Sequence, residues 1–174
     1  VTGSTHKTFF GTQRGVIGGA MRREDRMWPL WEAVERRVFP GSVSNHHLGT
    51  LLGLLIAVYE MNYFKEEYQR QVILNAKTLA KALHHEGLSV AGDPAISFTE
   101  THQVIVEVGY GKGIEAARKL EENNIIVNYQ ASPREEGFTA SGCLRLGVSE
   151  LTRFGMKEPE MVEIAGLMAD LVLR

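Results

Sequence analysis

From residue 48 the apolar positions recur every three or four residues, as Leu48, Leu51, Leu52, Leu55, Ile56, Tyr59 and Tyr63, and further on as Val72, Ile73, Ala76, Leu79, Ala80 and Leu83. That is the period of one face of an α-helix, and it predicts a long helix over residues 44–83. Ser44 or Asn45 is placed to cap its start and Gly87 to close its end. Residues 48–61 form an apolar run of about 14 residues, short of the roughly 20 a bilayer span requires, so the run is read as a buried helix. The polar residues 65–70 mark its exit from the core.

A shorter helix is predicted over residues 28–38, where Trp28, Leu30, Trp31, Val34 and Val38 share the same spacing, Pro29 suits a first turn, and Phe39-Pro-Gly41 ends it. Residues 16–21 read as a short buried strand after a glycine turn, and residues 22–26 as a solvated loop. Residues 102–108, 125–129 and 143–148 are β-branched or apolar runs bounded by turn residues and read as strands, with a polar loop over residues 130–140. Between them, residues 114–123 predict a helix with Ala117 and Leu120 facing in. Glu158-Pro159 starts a last helix through Met161, Ile164, Leu167, Met168 and Leu171. Strands alternating with helices at this density predict a small α/β sandwich, a short sheet with helices on one face.

Composition narrows the function classes. A chain of 174 residues suffices for one domain, or for one small domain with part of another, and 44% hydrophobic with 23% charged residues is neither a disordered nor a membrane-embedded composition. A net charge of −2 without a basic stripe gives no expectation of nucleic-acid binding. The single Cys143 excludes an intramolecular disulfide, fits a reducing compartment, and lies in an apolar run where a packed side chain is the simpler reading than a nucleophile. The pairs His46-His47 and His84-His85 do not read as a metal site, because neighbouring helical side chains diverge by about 100°. Gly109-Tyr-Gly-Lys-Gly113 reads as a loop before a helix rather than a phosphate cradle.

Candidate chemistry concentrates at the amino end, where Thr2-Gly-Ser-Thr-His-Lys-Thr8 sets Lys7 among small hydroxyl residues, with His6 before it and glycines after. A desolvated lysine can lose its proton near neutral pH and attack a carbonyl as a free amine, which is Schiff-base chemistry. On chemistry alone a solvated surface cation is the simpler reading. The second candidate is Arg145 in Leu-Arg-Leu-Gly, where alternation turns it away from its apolar neighbours. Its guanidinium can grip a carboxylate with two parallel hydrogen bonds or form a structural ion pair with Glu150 or Glu107.

The lysine segment resembles that of the serine hydroxymethyltransferase family. In the same order follow Phe39-Pro-Gly41, Asn128 after Ile-Ile-Val, and Ser141-Gly-Cys-Leu-Arg145-Leu-Gly147 leading to Leu151-Thr-Arg-Phe-Gly155, so the resemblance covers almost the whole chain. It implies an α/β fold, a fragment of a fold-type I transferase dependent on pyridoxal 5′-phosphate, with a long linking helix and a small α/β sandwich domain. Opening on Val1 within what reads as the end of a strand, the chain is expected to be roughly the carboxy-terminal half of a family chain. Residues 1–43 would end the large cofactor-binding domain, 44–86 form the linking helix and 87–174 the small domain.

By the same resemblance Lys7 would form the imine with the cofactor, Thr8 would assist its exchange, and His6 would influence which bond breaks. Ser4 and Thr5 would line the site, and Ser44 and Asn45 would reach the phosphate of a partner subunit's cofactor. Arg145 would clamp the substrate carboxylate, and Gln130 would lie in the loop that meets the pterin. The implied reaction interconverts serine and glycine and passes one carbon to a reduced pterin, in a cytoplasmic homodimer whose active site lies at the subunit interface, with no membrane partner. This chain departs from the family at Phe10, at Thr12-Gln13 with Arg14 displaced by one, and at Val43-Ser44-Asn45 in place of Gln-Gly-Gly. Those departures suggest a divergent, archaeal-type member using a modified pterin. The competing expectations are another enzyme of the same cofactor fold, such as a threonine aldolase, and a catalytically incomplete oligomerisation fragment.

Overall fold

The computed structural model describes residues 1–132, 134, 137 and 140–174; residues 133, 135, 136, 138 and 139 of the expected polar loop lie outside the described residues. Two compact units divide the chain, Val1–Lys65 and Glu66–Arg174.

The first unit opens with an antiparallel hairpin of β1 (Thr2–His6) and β2 (Phe10–Ile17), in which Ser4 faces Gly15 and His6 faces Phe10 across a register shift. The strand expected over residues 16–21 is thus displaced. Gly11 and Gly15 are members of β2 and the turn is Lys7-Thr8-Phe9, so the strand ends at Ile17 with Val16 and Ile17 exposed. Helix α1 (Trp28–Val38) forms where the spacing predicts, with Pro29 in its first turn, and closes as the Phe39 N–H donates to the Glu35 carbonyl. None of its residues is buried.

Helix α2 (Leu48–His85) is continuous for 38 residues, roughly 57 Å at the α-helical rise. It begins later than expected, leaving Ser44 and Asn45 outside its first turn; the Asn45 side chain instead accepts from the His46 N–H at 2.8 Å. In the first unit β2 packs against the start of this helix. The Thr12 hydroxyl donates to the Thr50 carbonyl at 2.7 Å, and the Arg14 guanidinium donates to the Thr50 hydroxyl. Gly53 makes the approach possible, since a Cβ there would stand 2.9 Å from Thr12 Cγ2.

The expectation that residues 48–61 are buried is corrected. Ala57 is the buried apolar residue of this stretch, while Leu48, Leu51, Leu52, Leu55, Ile56 and Tyr59 are exposed in this chain. The apolar positions run too far round the helix for one two-stranded hairpin to cover.

In the second unit the remainder of α2 buries Tyr68, Val72, Asn75, Ala76, Leu79, Ala80 and Leu83, a single helical face. A Schellman closure ends it: Leu88 N–H bonds to Leu83 O and Gly87 N–H to His84 O, with Gly87 at φ +93°, which glycine adopts without steric cost. Beyond lie β3 (Ser89–Val90), β4 (Gln103–Glu107), α3 (Gly113–Glu121), β5 (Asn128–Gln130), β6 (Cys143–Gly147), α4 (Ser149–Arg153) and α5 (Glu158–Leu173). The four strands form one antiparallel sheet in the order β3-β4-β6-β5.

The third strand expected, over residues 125–129, shrinks to β5. Asn124 at φ +64° closes α3 as Ile125 N–H returns to Leu120 O at 2.9 Å, and residues 125–127 are spent re-entering the sheet. Helix α5 starts at Glu158-Pro159 as read, with the Lys157 N–H held by the Glu160 carboxylate at 2.8 Å. Its buried stripe is Met161, Ala165, Met168 and Ala169, while Leu167 is exposed. The core joins these to Val104 and Val106 of β4, Leu120 of α3, and Leu144 and Leu146 of β6.

Leu83 is fully buried at the carboxyl end of α2. Leu83→Ala is expected to destabilise the second unit by about 2–5 kcal/mol, the usual cost of a large-to-small change in a packed core, as measured by urea unfolding followed by circular dichroism.

Candidate active site residues

The hairpin tip carries the amino-end candidates. His6 ends β1, Lys7 and Thr8 make the turn, and Ser4 lies just before the register shift. The Thr5 hydroxyl lies 2.7 Å from Thr12 O and 3.0 Å from Arg14 O, carbonyls of the irregular stretch of β2, which is why Thr5 alone among these residues is buried. Its role in the structure is to hold the hairpin together.

Lys7 is exposed, and its amine makes no hydrogen bond or ion pair among the described residues. A strand-turn-strand geometry with a bonded Thr5 beneath it presents that amine on a fixed backbone. Ser44 and Asn45 are exposed on the segment before α2, and no hydrogen bond among the described residues joins them to the hairpin. Arg14, displaced by one from the family's pattern, is engaged with Thr50.

In the second unit Arg145 sits at the centre of β6, paired with Ile105 of β4 on one side and Asn128 of β5 on the other. Leu144 and Leu146 face the core, so alternation turns Arg145 to the opposite face, as the sequence pattern predicts. Arg145 is among the residues that line a cavity of about 400 Å³, together with Asn124, Asn128, Glu150, Ile164 and Leu167. The ion pair with Glu150 or Glu107 is not formed: among the described residues no carboxylate lies within ion-pair distance of Arg145. A half-buried arginine without an ion-pair partner among the described residues, beside a cavity of mixed polar and apolar lining, has the chemistry to bind an anion.

Gln130 lies two residues beyond Asn128 on β5, opposite Cys143, so it shares the sheet face of Arg145. Cys143 itself is buried in the strand. The glycine cluster before α3 is a loop, and its last amide is already used, the Gly113 N–H bonding to Ser141 O at 2.5 Å.

Two residues escaped the sequence reading. His102, just before β4, is partly buried, and that burial, with the field of Arg145 second, pushes its imidazole below the usual histidine range. Asn75 is wholly buried on α2, a carboxamide in an otherwise apolar stripe. Its position in the helical repeat, one residue before Ala76 on the inward face, was the available signal. Among the described residues no group of three or more His, Cys, Asp or Glu side chains could hold a metal ion, and no helix is long and apolar enough to cross a membrane.

The family model described as serine hydroxymethyltransferase matches residues 1–168. The serine hydroxymethyltransferase of Archaeoglobus fulgidus is 50% identical over 172 residues, covering 97% of this chain and 37% of that protein. That of Korarchaeum cryptofilum is 47% identical over 178 residues, covering 99% and 39%. Among solved structures, an L-threonine transaldolase from Pseudomonas fluorescens in internal aldimine state aligns with a TM-score of 0.87 at 36% identity, over 99% of this chain and 38% of that one. The chain therefore spans less than two-fifths of the length of these relatives. Its α/β architecture, a long helix and a small antiparallel sheet with helices, is that of the fold-type I transferases. With that family's model matching residues 1–168, the chain belongs to the serine hydroxymethyltransferases.

Proposed function

We propose that the intact protein carrying this sequence interconverts serine and glycine, passing the hydroxymethyl carbon to a reduced pterin, with pyridoxal 5′-phosphate as its cofactor. The 50% identity over 172 residues to a protein named serine hydroxymethyltransferase carries the reading. The chemistry of the donors present fits the cofactor: Lys7 offers a primary amine, exposed at a turn and without a competing carboxylate among the described residues, to an aldehyde. When bound, the cofactor supplies an electron-withdrawing ring that weakens bonds at the α-carbon of the amino acid.

The chain's own residues supply binding and proton placement. Lys7 would hold the cofactor, and the Thr8 hydroxyl would hydrogen-bond beside the Lys7 amine. His6 would sit next to the reacting carbon, and Ser4 would line the site. Ser44 and Asn45 offer a hydroxyl and an amide to a phosphate oxygen. Arg145 would take the substrate α-carboxylate in two parallel hydrogen bonds, which fixes which α-carbon bond faces the ring. Gln130, on the same sheet face, would contact the pterin.

Residues 1–43 then end the cofactor-binding domain, residues 44–86 link it, and residues 87–174 form the small domain. The active form is a homodimer in the cytoplasm with its active site at the subunit interface, a reading supported by the exposed apolar start of α2 and the lone buried thiol. A second reading is another enzyme of the same cofactor fold, such as a threonine aldolase, which would keep Lys7 and Arg145 without pterin dependence; the transaldolase neighbour, at 36% identity, supports it less than the 50% identity supports the first.

Three measurements test these assignments. In the intact protein, Lys7→Ala is expected to abolish the visible absorbance of bound pyridoxal phosphate and glycine formation from serine. Wild-type glycine formation is expected to require reduced pterin, and pterin-independent turnover would favour the aldolase-type reading instead. Arg145→Lys is expected to raise KM for serine by roughly ten- to a hundredfold, because one of two charge-assisted hydrogen bonds of about 1.5–3 kcal/mol is lost; an unchanged KM removes Arg145 from the site.

His102 yields a pH prediction. Its folded value is lowered, so below about pH 6.5 the unfolded chain takes up the proton first, and stability falls as pH drops through the folded value. Above that window the imidazole is neutral and adds no charge beside Arg145. His102→Gln is expected to flatten the dependence of the thermal midpoint on pH below about 6.5, measured by calorimetry at a series of pH values.

A further inference from the structure

Asn75 is wholly buried in an apolar helix face, where a leucine would satisfy packing at no polar cost. Its carboxamide is instead fully engaged. Nδ2 donates to Thr152 Oγ1 at 2.9 Å and to the Met156 carbonyl at 2.9 Å, and Oδ1 accepts from Gln71 Nε2 at 2.9 Å. Gln71 is itself tied to the Glu158 carboxylate at 2.8 Å. One carboxamide thus grips the last turn of α4 and the backbone just beyond it.

The grip continues into the strand that carries Arg145. Because Asn75 donates to Thr152 Oγ1, that hydroxyl must spend its own proton elsewhere, and it donates to the Val148 carbonyl at 2.7 Å. The Val148 N–H donates in turn to the His102 carbonyl at 3.2 Å. Val148 is thereby held through both backbone polar groups, one residue beyond the end of β6. From there back to Arg145 the backbone is a paired strand with Leu144 and Leu146 buried, so a displacement of Val148 is transmitted along it.

We propose that Asn75 is a positioning residue for Arg145, its carboxamide setting through Thr152 and Val148 where β6 ends and therefore where the guanidinium meets the substrate carboxylate. The inference rests on the assignment of Arg145 to that carboxylate. Neither Asn75 nor Thr152 touches substrate; both act through the strand.

The test uses the intact protein with bound cofactor and compares Asn75→Leu, Thr152→Val, Thr152→Ser and Arg145→Lys. Asn75→Leu and Thr152→Val are expected to raise KM for serine roughly tenfold while kcat stays within about twofold, since misplacement of a binding group weakens substrate alignment more than it alters the reacting groups. Thr152→Ser keeps the hydroxyl and is expected to restore the wild-type KM. Amide hydrogen exchange at Val148 is expected to accelerate in Thr152→Val and not in Thr152→Ser.

A fall in thermal midpoint with KM unchanged in Asn75→Leu and Thr152→Val makes the network structural only and overturns the proposal. If Arg145→Lys raises KM and neither of the other variants does, the positioning role fails while the Arg145 assignment stands. If Arg145→Lys leaves KM unchanged, the assignment itself fails and the proposal with it. Should Asn75→Leu not accumulate as a folded protein, the Thr152 pair decides by the same readouts.

Discussion

Leu144 and Leu146 are buried on either side of Arg145. Burying each leucine contributes about 1.5–3 kcal/mol, whereas turning the guanidinium into that core without a partner would cost several kcal/mol. A slip of one residue would exchange the two faces, so the register of β6 is tightly specified. Its neighbours β4 and β5 then pair with a strand that has a single acceptable orientation, and the buried faces of α2, α3 and α5 close over the apolar side. The same constraint that builds the core therefore presents a cation on its other side, where no carboxylate among the described residues neutralises it.

The first unit is organised on a different principle. Its hairpin buries little, and main-chain pairing is supplemented by hydroxyls: Thr5 across the irregular part of the ladder, and Thr12 and Thr50 between β2 and the helix. Glycines at 11 and 53 let backbone and helix approach, because a Cβ at either would collide with its neighbours. Such a unit has limited stability of its own. It also leaves the start of α2 with a broad apolar surface, and Tyr63 at 82% exposure shows how much of that surface this chain leaves open.

How far the residues alone could show this differs by element. Helices α1, α2, α3 and α5 and the closing Gly87 were readable because a period of 3.6 and the end signals are local. Arg145 was readable too, since alternation in a strand assigns faces without knowledge of the partner strands. What local pattern could not decide was pairing. The glycines of β2 read as a turn because nothing in the residues says that a hairpin turns at Lys7, and β3, only two residues long, carries no period at all. Burial over residues 48–61 was misjudged for a related reason: an apolar run reports that a surface requires cover, and the cover itself is a property of other segments. Whether Arg145 pairs with Glu150 or Glu107 stayed open in the residues, because nearness along the chain does not fix the distance between two charges.

The polar network at Asn75 explains why this core is not made entirely of hydrocarbon. A well-packed apolar replacement of a buried polar group is often neutral or stabilising, so a satisfied carboxamide is weak evidence of a need for stability. What it adds is direction. Apolar side chains on α2 would allow the β6–α4 junction to slide by fractions of an ångström at little cost, since dispersion contacts vary gradually with distance. Three hydrogen bonds from one carboxamide, two of them to points on the same short segment, confine that segment to one position along the helix. Thermal stability does not require such confinement, but the bidentate grip proposed for Arg145 would, because tolerance in such a contact is a few tenths of an ångström.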